Sequence, residues 1–256
     1  MKVVILCGGK GTRLREETEY RPKPMVPIGG RPILWHIMKT YAAHGFNEFI
    51  LCLGYKGGII KDYFRNYQWM AGDVSMKLGK EPRICFHDKH DEENWSVTLA
   101  ETGEETMTGG RLARVAGYLD EDDFCLTYGD GVSNVNIAAL IDFHRGHGKQ
   151  ATLTAVEPVS RFGNLVLDGP KVATFSEKPT KTESWINGGF FVLSRRVIEL
   201  IDGDHCIWER RPLEMLTERN ELMCYRHEGF WHCMDNIRDK VVLEQLWQTG
   251  APWKTW

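Results

Sequence analysis

Along most of this chain, short β-rich runs alternate with segments of helical apolar spacing, and that alternation restricts the fold more than any other feature. "KVVILC" (2–7) predicts a short buried strand that runs directly into Gly8-Gly9. Helical spacing over 32–45, with Pro32 in the first turn and Gly45 as the stop, predicts a helix. A strand follows at 46–54, a helix at 57–69, strands at 83–87 and 97–102, and a helix at 110–119. Next come a strand entering a turn at 123–131, a helix at 136–148 and a strand at 151–158. The remainder is more mixed, with strands near 164–167, 172–177 and 186–193 and helices near 195–201, 207–219 and 236–248. Strand after helix after strand implies an α/β fold: a single-domain, Rossmann-like, mostly parallel sheet flanked by helices, with small β insertions. No internal repeat or low-complexity linker divides the 256 residues.

Composition excludes several functions. The net charge of −3 lacks the basic excess of a nucleic-acid binder. No apolar run approaches the roughly 18 residues of a membrane span. "MKVVILCGG" is too short an apolar run for a signal peptide, so a cytoplasmic location is expected. Seven cysteines, an odd number with no C-x-x-C, read as reduced thiols; Cys52, Cys85 and Cys125 lie in apolar runs as small core residues. His87, His90, Cys224, His227, His232 and Cys233 match no familiar zinc spacing, and packed or solvated side chains are the better reading. Trp35, Trp69 and Trp247 are expected in the core, whereas Trp185 stands near a candidate sugar pocket, which 161–163 could also shape.

Chemistry concentrates in "GGKGTRL" (8–14) and "PKPM" (22–25). Ligands of open parallel sheets sit beyond the carboxyl ends of strands, where Gly8, Gly9 and Gly11 fall. Without Cβ atoms, their backbone N–H groups can approach phosphate oxygens. Neither a Walker A loop nor G-x-G-x-x-G is present, since Leu14 stands where the third glycine belongs, which excludes a nicotinamide-dependent oxidoreductase. A tight structural turn is the alternative for the glycines alone. Arg13 adds a planar fork for phosphate, and Lys23 a point charge whose backbone is restricted by Pro22 and Pro24. Asp130, in a strand-terminal turn facing the same crevice, and Asp235 suit a Mg²⁺ that takes one or two carboxylates plus phosphate oxygens. Local backbone bonding for Asp130, and an N-cap for the helix near Ile237 in the case of Asp235, stay open beside that reading.

With G-G-x-G-T-R-L, P-K-P-M, "YGDG" (128–131), "FSEKP" (175–179), "INGGFFVL" (186–193) and "GFWHCMDNIRDK" (229–240), nearly the whole chain resembles the sugar-1-phosphate nucleotidylyltransferases. "MTGGRLARV" (107–115) and "APWKTW" (251–256) resemble the branch that uses CTP and glucose 1-phosphate. The resemblance implies a nucleotide-binding part over roughly 1–135 and a sugar-binding and C-terminal part over roughly 136–256. It places Leu6, Gly8, Gly9, Gly11, Thr12, Arg13, Lys23, Thr108, Gly109, Arg111 and Asp130 on the nucleotide, with Arg111 able to donate to the O2 of cytosine. A surface arginine in a helix's first turn is the alternative. Glu177, Lys178, Asn187 and Gly188 are implied at the sugar phosphate, and Asp130 and Asp235 at Mg²⁺. Arg13, Lys23 and Asp130 are the implied catalytic residues, and a homo-oligomer is the implied assembly. The expected reaction is in-line attack of glucose 1-phosphate on the α-phosphorus of CTP, giving CDP-glucose and pyrophosphate. UTP, dTTP or GTP, another phosphorylated acceptor, and a non-catalytic nucleotide-binding module remain as alternatives.

Overall fold

A computed structural model describes residues 1–87, 94–158, 164–168, 170–176 and 185–256. Among them, seven strands form the main sheet: β1 (Val3–Leu6), β2 (Glu48–Leu53), β3 (Ser96–Glu101), β4 (Asp123–Tyr128), β5 (Ala151–Val156), β6 (Ile186–Ser194) and β7 (Leu222–His227). Their order is β7-β5-β6-β4-β1-β2-β3. All adjacent pairs are parallel except those made by β6, which runs against β4 and β5. The expected mostly parallel sheet is therefore present. Small antiparallel ribbons supplement it, among them Asn164–Asp168 with Lys171–Ser176 and Val74–Lys77 with Arg83–Phe86.

Six helices matter for the site: α1 (Ile33–Ala42), α2 (Gly57–Arg65), α3 (Thr108–Arg114), α4 (Ile137–His147), α5 (Arg211–Glu218) and α6 (Ile237–Gln248). A strand buried on both faces sends alternate side chains to opposite layers. In β1, Val3 and Ile5 pack with Ile33, Ile37 and Tyr41 of α1 and Leu140 of α4. Val4 and Leu6 pack on the other side with Leu112 of α3, Leu216 of α5 and Trp208. This double burial fixes β1 at the sheet's centre, and with it the start of the glycine loop. No helix among the described residues is long and apolar enough to cross a membrane.

Several sequence expectations need correction. The helix expected over 57–69 is broken: α2 ends at Arg65 and a second helix runs Tyr67–Ala71, because Asn66 leaves helical geometry at φ −99°, ψ 14°. Trp69 is surface-exposed and packs edge-on against Phe86 instead of entering the core. Cys85 is likewise exposed on its two-stranded ribbon, while Cys52 and Cys125 are buried as expected. The helix expected to begin at 207 starts only at Arg211, with Pro212 in its first turn. Strand β7 went unrecognised because its residues are half-buried or exposed at the sheet edge, so no apolar run marks it.

The C-terminal "APWKTW" folds back onto α1. His36 is fully buried among the rings of Trp35, Trp247, Trp253 and Trp256. Its Nε2–H donates to the Ile28 carbonyl at 2.9 Å, and its Nδ1 accepts from Trp253 Nε1 at 3.3 Å. One nitrogen donates and the other accepts, so the neutral ring is fully satisfied. Burial, with Arg31 and Lys254 nearby, lowers its pKa to about 4. The unfolded chain takes up this proton near pH 6.5, and the fold resists it until about pH 4. Acidification through that window should therefore remove roughly 3 kcal/mol of stability, with little further loss from this residue below it. Urea unfolding between pH 7 and 4 should show a distinctly shallower decline for His36→Gln than for the wild type; equal slopes contradict the assignment.

Candidate active site

The site lies where β1 and β4 end side by side, Leu6 opposite Tyr128 in register. Beyond β1 the chain turns through Gly8–Gly11 into a short 3-10 turn, Thr12–Leu14. Gly11 takes φ +60°, and a Cβ there would stand 2.7 Å from the Thr18 methyl. Thr18 Oγ1 in turn holds the Gly11 carbonyl at 3.1 Å. Glycine is thus required at position 11 by conformation as well as by space.

Lys23 opens a 3-10 turn, Lys23–Met25, entered from extended Pro22. The turn aims its ammonium at two carboxylates, Asp130 Oδ2 at 2.6 Å and Asp235 Oδ1 at 2.8 Å. Arg13 NH1 reaches the other oxygen of Asp235 at 2.9 Å. Only 12% of the Lys23 side chain is exposed, against 75% of Arg13. Burial alone works against a charged amine, but Asp130 and then Asp235 outweigh it, so the Lys23 pKa is raised.

Asp235 reaches this point through a ribbon that the sequence did not reveal. Trp231–Cys233 pairs antiparallel with Gly131–Ser133, and Met234 N donates to the Asp130 carbonyl at 2.8 Å. The cap of α6 is Asn236, whose side chain accepts from Arg238 N and Asp239 N, while Asp239 closes the capping box. Asp235 is therefore not the N-cap. Its own N–H is held by Asp239 at 2.9 Å, and its carboxylate turns to Lys23 and Arg13.

A cavity of 540 Å³ opens beside the Lys23–Asp130 pair, lined by Leu6, Cys7, Gly8, Gly9, Gly11, Thr12, Arg13, Lys23, Pro24, Thr106, Met107, Thr108, Arg111, Tyr128, Gly129, Asp130 and Glu209, with Asp235 behind Lys23 and outside the lining. The volume is in the range of small-ligand sites. Arg111 is buried beneath the loop instead of lying on the surface. Its NH1 donates to the Leu53 and Gly103 carbonyls and to Thr102 Oγ1, and its NH2 to the carbonyls of Gly8 and Glu104, all within 3.2 Å. In this structure those terminal hydrogens are directed at the protein's own loops. Gly109 does not line the cavity; its N–H donates to Cys206 O at 2.9 Å.

At the positions that the sequence implies for the sugar, Asn187 Nδ2 donates to Tyr128 Oη at 3.2 Å, and the Gly188 carbonyl accepts from Trp231 Nε1 at 2.7 Å. Trp185 carries the Arg226 guanidinium 5.5 Å over its ring. Glu177, Lys178, His90 and residues 161–163 lie outside the described residues. Sequence reasoning passed over Glu209, Tyr128 and Trp231. Tyr128 sits in "YGDG" and Trp231 in "GFWHCMDNIRDK", motifs that could have drawn attention to them, whereas Glu209 sits in none.

Two carboxylates from distant segments converge on one cation, Lys23, and no third metal-ligating side chain joins them among the described residues. Hard oxygen donors in that number fit a Mg²⁺ that keeps its other positions for phosphate oxygens and water.

The sequence of residues 2–239 matches the nucleotidyl transferase family. Over its whole length the chain is 56% identical to a glucose-1-phosphate cytidylyltransferase of Salmonella typhi, with all of both chains covered. It is 44% identical to a probable glucose-1-phosphate cytidylyltransferase of Bacillus subtilis, again over all of both. Among solved structures, HddC from Yersinia pseudotuberculosis superposes with a TM-score of 0.69 at 24% identity, covering 96% of this chain and 99% of that one, a likeness of fold.

A Cβ added at Gly8 would stand 2.0 Å from Arg111 NH1, whereas one at Gly9 meets nothing within 4 Å. Gly8→Ala should therefore displace the guanidinium and destabilise the fold by about 1–3 kcal/mol. At roughly 2–4 °C per kcal/mol this gives a readable fall in Tm. Gly9→Ala should melt within about 1–2 °C of the wild type. Equal melting of the two variants would contradict the clamp.

Proposed function

We propose that this chain, which belongs to the nucleotidyl transferase family, transfers the cytidylyl group of CTP to glucose 1-phosphate, giving CDP-glucose and pyrophosphate. The observation that carries the choice of reaction is full-length 56% identity to a glucose-1-phosphate cytidylyltransferase, against 30% to a mannose-1-phosphate guanyltransferase of Kluyveromyces lactis. The site supplies what this chemistry requires. A phosphate monoester with its second pKa near 6 is mostly dianionic at neutral pH, so the acceptor is already a nucleophile and needs no catalytic base. The task left to the protein is to align two anions that repel each other and to offset charge on the phosphates during in-line displacement.

Glycine N–H groups at 8, 9 and 11 cradle the triphosphate, joined by Leu6, Thr12 and Thr108 on the cavity wall, while Arg111 acts from beneath by bracing the loop. Arg13 and Lys23 stabilise the charge that grows as pyrophosphate leaves. Lys23 is suited to this because it is held largely enclosed and cationic between two acids. Enzymes of this family generally use a divalent metal. Asp130 and Asp235 would hold Mg²⁺, which supplies a positive centre that screens the phosphate oxygens. Glu177 and Lys178 bind the sugar phosphate together with Asn187 and Gly188. The nucleotide half is roughly 1–135 and the sugar half roughly 136–256. The enzyme works in the cytoplasm as a homo-oligomer. Support for association comes from the exposed apolar side chains Met76, Leu78, Ile84 and Phe86 on the ribbon between α2 and β3.

Pyrophosphate release with glucose 1-phosphate should be fastest with CTP among CTP, UTP, dTTP and GTP; a clear preference for another triphosphate overturns the base assignment. Chelation with EDTA should abolish turnover and excess Mg²⁺ restore it, and full activity in EDTA would remove the metal from the reaction. Lys23→Ala should lower kcat by roughly 10²–10³ while changing the KM for glucose 1-phosphate little. An unchanged kcat would take Lys23 out of the mechanism.

A further inference from the structure

Two carboxylates line the cavity, Asp130 and Glu209. Asp130 is paired with Lys23, whereas Glu209 forms no ion pair among the described residues. Its Oε2 instead accepts from the Thr108 hydroxyl at 2.6 Å. A carboxylate without a cation, in a cavity that receives phosphates, repels phosphate and accepts hydrogen bonds from neutral hydroxyls. Its position therefore selects which part of a substrate can lie beside it.

The chain holds that carboxylate in place by several independent contacts. Segment 204–208 is laid against the start of α3: Met107 N donates to Asp204 O at 2.8 Å, and Gly109 N and Gly110 N donate to Cys206 O at 2.9 and 3.2 Å. A Cβ at Gly109 would stand 2.9 Å from Cys206, and one at Gly110 2.6 Å from Asp204, so the glycine pair of "TGGR" makes the approach possible. Trp208, fully buried, anchors the segment, and its backbone N–H donates to Thr108 Oγ1 at 2.9 Å. Thr108 thus accepts from the segment and spends its one proton on Glu209. The Tyr128 phenol lies beside the same carboxylate, where burial and then the Glu209 charge keep it protonated. Tyr128 also accepts from Asn187 Nδ2 at 3.2 Å. A polar chain runs from Thr108, on the side assigned to the nucleotide, through Glu209 and Tyr128 to Asn187, on the side assigned to the sugar.

The geometry points to Glu209 as a further substrate-orienting residue, whose carboxylate accepts hydrogen bonds from a vicinal pair of sugar hydroxyls on one of the two substrates. The inference rests on the nucleotidyl-transfer reading and adds to it the residue that reads a diol. The ribose of CTP and the ring of glucose 1-phosphate both carry that chemistry, and the experiment separates them.

The test is steady-state kcat/KM for wild type, Glu209→Gln and Glu209→Asp, with CTP against 2′-deoxy-CTP and with glucose 1-phosphate against its 2-deoxy, 3-deoxy and 4-deoxy analogues. The wild type should discriminate against the analogue that lacks the hydroxyl by roughly 10–100-fold, as expected of a charged hydrogen bond. Glu209→Gln should collapse that one ratio below about 3-fold and leave the other arm unchanged, and Glu209→Asp should recover part of it. Collapse on the CTP arm assigns the ribose, and on the other arm the glucose ring. A uniform fall in every kcat/KM, with all ratios kept, shows a role in supporting Thr108 and overturns the inference, as does no change at all. The ratios are read with whichever triphosphate the wild type turns over, so failure of the base assignment and failure of the Glu209 assignment give different results.

Discussion

One ammonium group organises this molecule's chemistry. Lys23 joins Asp130, 107 residues away in sequence, to Asp235, 212 residues away, and draws both acids to the carboxyl edge of the central strands. Neither acid arrives there by accident of packing. Asp130 follows β4, the neighbour of β1, and Asp235 is carried in by a two-strand ribbon whose partner begins at Gly131. Two carboxylates that each lie within 2.8 Å of one ammonium would repel each other without it, so the lysine holds the site together as well as serving in the proposed reaction.

The loop on the other wall obeys a second constraint, that of space. Gly8 and Gly54 both lie where a Cβ would run into the Arg111 guanidinium, at 2.0 and 2.5 Å. Burial works against the charge on that arginine and lowers its pKa, and its terminal N–H groups find five acceptors within reach. The backbone proposed to hold the triphosphate is thereby braced from below by a charged group. Preorganisation of this kind places N–H donors before the ligand arrives, so less ordering remains to be done on binding.

Much of this was legible in the sequence, for physical reasons that differ from residue to residue. The glycines of 8–11 and the proline-flanked Lys23 announce themselves because backbone requirements leave fixed residue types behind. The doubly buried strand β1 is a continuous apolar run, and β4 carries the apolar core Phe124–Leu126. Edge strand β7 and the ribbons at 131–133 and 231–233 leave no such trace, since they are half-exposed or only three residues long. Glu209 was invisible for another reason: what makes it a site residue is the docking of 204–208 on Gly109 and Gly110, far earlier in the chain, a tertiary event with no local pattern. Asp235 was ambiguous in sequence, cap or ligand, until Asn236 was seen to do the capping.

The central claim, that Lys23 and the two aspartates form one cation and triphosphate site beside the glycine turn, is tested most directly by a crystal structure with CTP and Mn²⁺ in place of Mg²⁺. An anomalous peak between Asp130 and Asp235, with triphosphate oxygens on the backbone of Gly8–Gly11, is the expected result. Metal density elsewhere, or a nucleotide bound away from that turn, would contradict it.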